Sequence, residues 1–382
     1  MSYKVVVWGT GRVGKSALIS IIKRPELELV GVYVYTEAKV GKDAGEICGL
    51  PDTGITATNN AEEIYALDAD IVVMANIPNP ADLSEMDTFA QKILASGKNV
   101  VTTAAYRYLP YAGRNKDRTP ESVQAFINAC EAGQSTLYGT GENPGFFFER
   151  LATTLTSLSQ EIDCVTMEEY SDCSHWVVPD DPASNLMQFG APIDEFEASP
   201  IIQGWYDREF GEAISCAAEV LGIDFDRFEW DLVAAPAHQD LQITNGVIKK
   251  GTVSAMRYDQ VAYKGDKPVI KYRAYWVMTK DVPEFNSETW TYWQNDDVWR
   301  IKIEGRPEFE AVVNLGLSLD GSVEGETYAD GQQPMFMITA AAAINSIPYV
   351  CAAEPGLMKP VVQGHFSPEL KDPGFSPPAL KI

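Results

Sequence analysis

The sequence predicts an α/β architecture: an N-terminal doubly wound parallel sheet, followed by an α+β domain with a mixed, largely antiparallel sheet. Three observations carry this prediction. Strand-like and helix-like segments alternate over the first 140 residues. A GxGxxG pattern stands at the first strand–helix junction. After Gly145 helices become sparse and long strands take over. At 382 residues the chain is also long enough for two domains.

Each element has its own signal. Tyr3–Trp8 is a β-branched run of the kind buried on both faces. Val13–Lys23 has helical periodicity and stops before Pro25. Leu27–Tyr35 is the second strand, Ala61–Ala66 a short helix and Ile71–Ala75 the next strand. Asp82–Ser96 reads as a helix stopped by Gly97, and Asn99–Thr103 as a strand. Pro120–Ala132 follows the capping residue Thr119, with Pro120 in the favoured first position. Leu137–Tyr138 opens another strand. Further on, Glu161–Tyr170, Val247–Tyr263, Val269–Met278, Trp290–Trp293, Val298–Ile303 and Glu308–Val313 read as strands, with Trp205–Leu221 as the main helix. Met335–Ile347 is an Ala-rich apolar helix, and four prolines make the last 20 residues an extended tail.

Composition narrows the partners. Acidic residues outnumber basic ones 54 to 30, a net charge of −24. Such a field opposes nucleic acid and anionic membranes, leaving a small molecule as the expected partner. Six cysteines without a CxxC pair read as reduced thiols of a cytoplasmic protein. His175, His238 and His365 are too far apart in sequence for a metal-site spacing, so no metal is expected. The segment after Met1 has no basic or apolar leader pattern, so no signal peptide is expected. No apolar run is expected to reach the ~20 residues of a membrane span.

In VVVWGTGRVGKSAL, Gly9 permits a tight turn, Gly11 lets a pyrophosphate approach the backbone, and Gly14 lets helix and strand pack closely. The helix N-terminus then offers N–H groups and partial positive charge to the phosphates. GTGRVGKS also fits GxxxxGK[ST] formally, but the strand that would supply a metal-binding Asp ends in Asn76 and Pro78. At the second strand end, Glu37 suits a ribose hydroxyl, whereas Arg12, Thr36 and Lys39 suit a 2′-phosphate. The cofactor is therefore read as NADP or NAD, leaning to NADP. Its candidate contacts are Gly9, Thr10, Gly11, Arg12, Val13, Gly14, Tyr35, Thr36, Lys39, Asn76, Thr102, Thr103 and Asn143.

Three further stretches carry a resemblance: VYVYTEAKVGKDAGEICGLPDTGITAT (32–58), GTGENPGFFFERL (139–151) and INSIPYVCAAEPGL (344–357). With these the chain resembles the dihydrodipicolinate-reductase-like oxidoreductases, on the branch of 2,4-diaminopentanoate dehydrogenase and the native amine dehydrogenases. The resemblance implies a Rossmann domain (1–143), a substrate-binding and dimerisation domain (144–334), and a C-terminal helix and tail (335–382) packing on the Rossmann domain or a partner subunit. It also implies a homodimer and NAD(P)-linked chemistry at an amine, imine or carbonyl carbon.

The resemblance further implies a Glu near Ala105 or Tyr106, in VVTTAAYRYLP, where no acid stands. Three candidates for proton handling remain. Tyr106 has Arg107 beside it, but it and Tyr108 equally suit the wall of an apolar pocket. Glu142, in GTGENPG, is a relocated acid or a solvated turn residue. His175 is a residue type suited to acid/base work near neutral pH, but equally suits a loop surface. Tyr108, Asn143, Tyr170 and Trp176 are candidate substrate contacts. The functions left open are an amine dehydrogenase-like enzyme, an alcohol/ketone oxidoreductase and a cofactor-binding sensor without turnover.

Overall fold

The computed structural model describes residues 2–77, 79, 82–111, 113, 118–175, 186–244, 246–285, 297–320, 333–360 and 369–370. It divides into two compact units, Met1–Phe146 with Val323–Lys359, and Phe147–Ser322 with Pro360–Ile382.

The first unit runs β1 (Tyr3–Trp8), α1 (Arg12–Ile22), β2 (Leu27–Tyr33), α2 (Ala44–Cys48), β3 (Ala57–Thr58), α3 (Ala61–Ala66), β4 (Ile71–Met74), α4 (Ser84–Ala95), β5 (Asn99–Thr102), α5 (Pro120–Gly133) and β6 (Thr136–Gly139). The second unit holds β7 (Glu161–Asp172), α6 (Ile193–Ala198), α7 (Pro200–Leu221), β8 (Arg227–Pro236), β9 (Leu241–Ile243), β10 (Gly246–Ile248), β11 (Val253–Lys264), β12 (Lys267–Val277), β13 (Asp297–Arg306) and β14 (Phe309–Leu315). The chain then rejoins the first unit as α8 (Pro334–Ile344), α9 (Ile347–Ala352) and β15 (Gly356–Leu357).

The first sheet has the order β15-β6-β5-β4-β1-β2-β3, with every pair parallel. Its alternating residues fill two cores. Val5 and Val7 of β1 pack with Leu18 of α1 and with Ala343 and Ile347 of the returning helices. Val6 and Trp8 face the other way, toward Ile93 of α4 and Phe126 of α5. The expected cap of α5 forms: the Thr119 hydroxyl accepts from Ser122 N–H at 3.2 Å.

Two expectations need correction here. Pro334–Ala352 makes a 19-residue helical stretch with the length and hydropathy of a membrane span, although no such run was expected. Its packing against α1, β5 and β6 explains that composition. In the tail, Glu369–Leu370 pair in parallel with Glu161–Ile162 of β7, in the second unit rather than on the Rossmann sheet.

Along its main path the second sheet runs β14-β13-β7-β12-β11-β8, and those pairs are antiparallel except for β7–β12; the parallel pairing of Glu369–Leu370 lies off this path. α7 covers one face. Phe210 stacks on Tyr272 at 4.1 Å and Tyr206 on Tyr258 at 5.4 Å between ring centroids. α7 also starts five residues earlier than its periodicity suggests, because Ser199 accepts from Ile202 N–H and Pro200 takes the first position. The expected single strand Val247–Tyr263 is two strands. Asp240 accepts the Lys250 N–H at 2.9 Å and the Lys249 ammonium at 2.8 Å, fixing a turn that Gly251 completes. The expected strand Trp290–Trp293 lies outside the described residues.

Candidate active site

The glycine loop follows β1 at the point where the strand order reverses, between β1 and β4. A Cβ on Gly14 would stand 2.0 Å from Gly9 O, and one on Gly9 3.0 Å from Asn76 N, so both positions are closed to larger residues. A Cβ on Gly11 would meet nothing within 4 Å. Gly11 is also the N-cap of α1, whose first turn carries no acid and which has no side-chain cap bond. This is a cradle with room for a pyrophosphate over Gly11 and backbone donors beneath it. The residues therefore fit a dinucleotide. Thr10 is buried, Val13 joins the core below the loop, and the Arg12 guanidinium lies 5.3 Å over the Phe336 ring.

The segment after β2 closes one side of this loop. The Lys39 ammonium donates to Thr10 O at 2.8 Å and to Thr10 Oγ1 at 3.2 Å. Glu37 instead accepts from Asn59 at 2.8 Å. Thr36 is exposed. The Tyr35 ring is half exposed, yet its hydroxyl is tucked against the Trp8 indole N–H at 2.9 Å, and burial pushes its pKa up to about 12.

Across the sheet, three strand ends supply polar groups. Asn76 Oδ1 is buried without a hydrogen-bond partner among the described residues. Thr102 is fully buried and its hydroxyl accepts from Ala104 N–H at 3.3 Å, while Thr103 N–H donates to Met74 O at 3.1 Å. Thr140, which carries no signal in the sequence, is fully buried, and its hydroxyl has no hydrogen-bond partner among the described residues. The pattern GTGENPG contains it, but nothing in that pattern distinguishes it from the neighbouring turn residues.

Tyr106 is turned away from solvent. It is 4% exposed, and its hydroxyl donates to Asp87 Oδ1 at 2.7 Å. Tyr108 is half-buried, and its carbonyl accepts the Tyr111 N–H at 3.0 Å. The buried Arg107 donates from Nε to Pro144 O at 3.0 Å and from Nη2 to Thr103 O at 2.9 Å. It thereby ties the end of β5 to the turn after β6. On that turn Glu142 is half-buried and its carboxylate accepts the Asn143 N–H; Asn143 is 6% exposed. Sequence reading saw Arg107 only as a neighbour of Tyr106. Its reach across 37 residues had no local signal.

The remaining candidates belong to the second unit. Tyr170 is a core residue rather than an open substrate contact. It is 1% exposed, stacks on Tyr275 and donates to Glu168 at 3.2 Å, and burial raises its pKa. His175 ends a short turn, partly exposed, 3.9 Å from Asp172. Trp176 lies outside the described residues. The buried Glu169 accepts from Trp276 at 2.6 Å and Tyr272 at 3.2 Å, so these aromatics serve the core under α7.

The architecture and the cradle define the class: a two-unit chain with a Rossmann-type dinucleotide-binding unit. Residues 3–104 match the family model for dihydrodipicolinate reductase, N-terminus. Over 361 residues the chain is 28% identical to an amine dehydrogenase from Streptomyces virginiae, covering 92% of this chain and 93% of the relative. In structure it is similar to the amine dehydrogenase from Mycobacterium smegmatis, with a TM-score of 0.72 at 18% identity over 97% of this chain and 98% of that one. The resemblance read from the sequence is thereby supported: a dihydrodipicolinate-reductase-like NAD(P)-dependent dehydrogenase or reductase, near the amine dehydrogenases.

Proposed function

We propose that this enzyme, with NADP preferred, moves hydride to or from a C–N carbon of a fairly apolar small molecule, and that Glu142 handles the accompanying proton. The observation that carries the reading is the open space above Gly11 in a chain similar over 92% of its length to an amine dehydrogenase. When bound in that cradle, the nicotinamide supplies a hydride acceptor or donor at C4. Gly9–Gly14 would hold the pyrophosphate, and Lys39 beside Thr10 would meet a 2′-phosphate. Glu37, occupied with Asn59, favours the phosphate over a free ribose hydroxyl. Glu142 stands on the turn that Arg107 fastens to Thr103. As a carboxylate it would accept a proton from an amine during oxidation and return it during reduction. The net charge of −24 favours an uncharged or cationic substrate over a polyanion.

A second reading, alcohol/ketone chemistry, is favoured by the lack of any acid at Ala105 or Tyr106. Fluorescence titration with NADPH and NADH, followed by a panel of primary amines, alcohols, and ketones with and without ammonia, decides between them. Turnover that needs ammonia in the reductive direction supports amine chemistry. Cofactor binding with no consumption leaves the sensor reading. Glu142→Gln should lower kcat by about 10²- to 10⁴-fold with little change in cofactor Kd; unchanged kcat removes Glu142 from the mechanism. Lys39→Ala should weaken NADPH more than NADH, and equal weakening would refute the 2′-phosphate assignment.

A further inference from the structure

Tyr106 has φ +68°, a left-handed conformation that bulky L-residues seldom adopt. Its side chain shows what holds it there. The hydroxyl donates to Asp87 Oδ1 at 2.7 Å, in the first turn of α4. Arg118 bonds both carboxylate oxygens of Asp87, at 3.0 Å to Oδ1 and closer to Oδ2. The same guanidinium lies 5.3 Å over the Tyr106 ring and 5.7 Å over Phe126. The Arg118 side chain is 1% exposed, so this pairing is shielded from solvent.

The consequence falls on the next residue. With Tyr106 turned down onto α4, Arg107 is directed back to Thr103 O and Pro144 O. The backbone of 105–107 also lies directly on β6: a Cβ on Gly139 would come within 2.5 Å of Tyr106 C and 2.6 Å of Arg107 N. One strained residue thus sets the spacing of two strand ends.

We propose that Tyr106, Asp87 and Arg118 form a positioning lock, which through Arg107 fixes the Gly141–Gly145 turn carrying Glu142. The proposal rests on the role given to Glu142 above. Tyr106 itself is a positioning residue, not the proton donor, because its hydroxyl proton is committed to Asp87 on the α4 side.

Two conservative variants of the full chain test this. Tyr106→Phe keeps the ring beneath Arg118 and removes only the hydroxyl. Arg107→Lys keeps the charge and removes the two-armed grip. In both, amide exchange in residues 103–109 and 139–146 should speed by about tenfold, the scale of one lost hydrogen bond. NADPH affinity should stay within about twofold, while kcat falls about 10- to 100-fold at nearly constant KM. The pKa values of the pH–rate profile should not move. Unchanged exchange over 139–146 in Tyr106→Phe would overturn the lock. So would loss of the alkaline limb of the pH profile in Tyr106→Phe alone, which would make Tyr106 the acid/base group. A wild-type protein that turns over no substrate in the panel would remove the catalytic role of Glu142, while the exchange readout would still judge the lock.

Discussion

Asp43 gathers donors from a loop ten residues away. It accepts the N–H groups of Gly45 at 2.7 Å, Thr53 at 2.9 Å and Gly54 at 2.8 Å, and the Thr53 hydroxyl as well. The Thr53 N–H, then those of Gly45 and Gly54, hold its pKa below the ordinary 3.8. A depressed carboxylate pKa in the folded state contributes stability above the unfolded value and loses it as pH falls through the folded value. The melting temperature of Asp43→Asn should therefore lie below wild type at neutral pH, with the gap closing below about pH 3.8. A gap independent of pH would refute this. The sequence shows an Asp before Ala-Gly-Glu, the start of α2, but gives no sign of Thr53 or Gly54 as partners. Tyr106 was opaque for a similar reason: a left-handed backbone at a tyrosine is set by Asp87 and Arg118, which are distant in sequence.

Elements were more legible than side-chain partners, because strand burial and helical periodicity are local patterns. β1, α3 and α5 stand where their residues indicate, within a residue at each end. α2, β3 and β15 went unpredicted, since two- to five-residue elements carry no period. The glycine loop gives the most discriminating prediction at this scale. Gly11→Ala should leave stability within about 0.5 kcal/mol, because its Cβ enters open space, yet weaken cofactor binding at least tenfold. Gly14→Ala drives a Cβ to 2.0 Å from Gly9 O and should cost about 1–3 kcal/mol in unfolding free energy. Equal effects of the two substitutions on melting would contradict the cradle geometry. In the second unit, Phe210→Ala removes the ring stacked on Tyr272 and should destabilise by about 3–5 kcal/mol, measured by urea unfolding.

At the scale of the whole molecule, the excess of acid is managed unevenly. On one face of the second sheet the charges alternate in sign from strand to strand. Arg257 bridges Asp231 at 2.7 Å and Asp259 at 2.6 Å, Arg273 also meets Asp259, and Arg300 bridges Glu168 at 2.7 Å and Glu310 at 2.5 Å. Removing a middle member leaves a shielded carboxylate uncompensated, and Glu168 is only 10% exposed in its side chain. Arg300→Gln should cost about 1–3 kcal/mol, discounted for partial exposure, and Glu168→Gln in the same chain should recover part of it. A double variant no more stable than the single would show that the pair is not coupled. No such ladder is visible in the chain order, because its members come from six strands. The return of α8, α9 and β15 to the first sheet has a consequence for biosynthesis. A ribosome releases residues 3–139 early, but the helices that cover α1 and the strand that closes the β6 edge emerge some 200 residues later. Until then a parallel sheet waits with one bare edge and an exposed apolar face, while the intervening unit is being made. Nascent chains halted near residue 330 should accordingly be caught by holding chaperones, and release should follow the appearance of Gly356–Leu357.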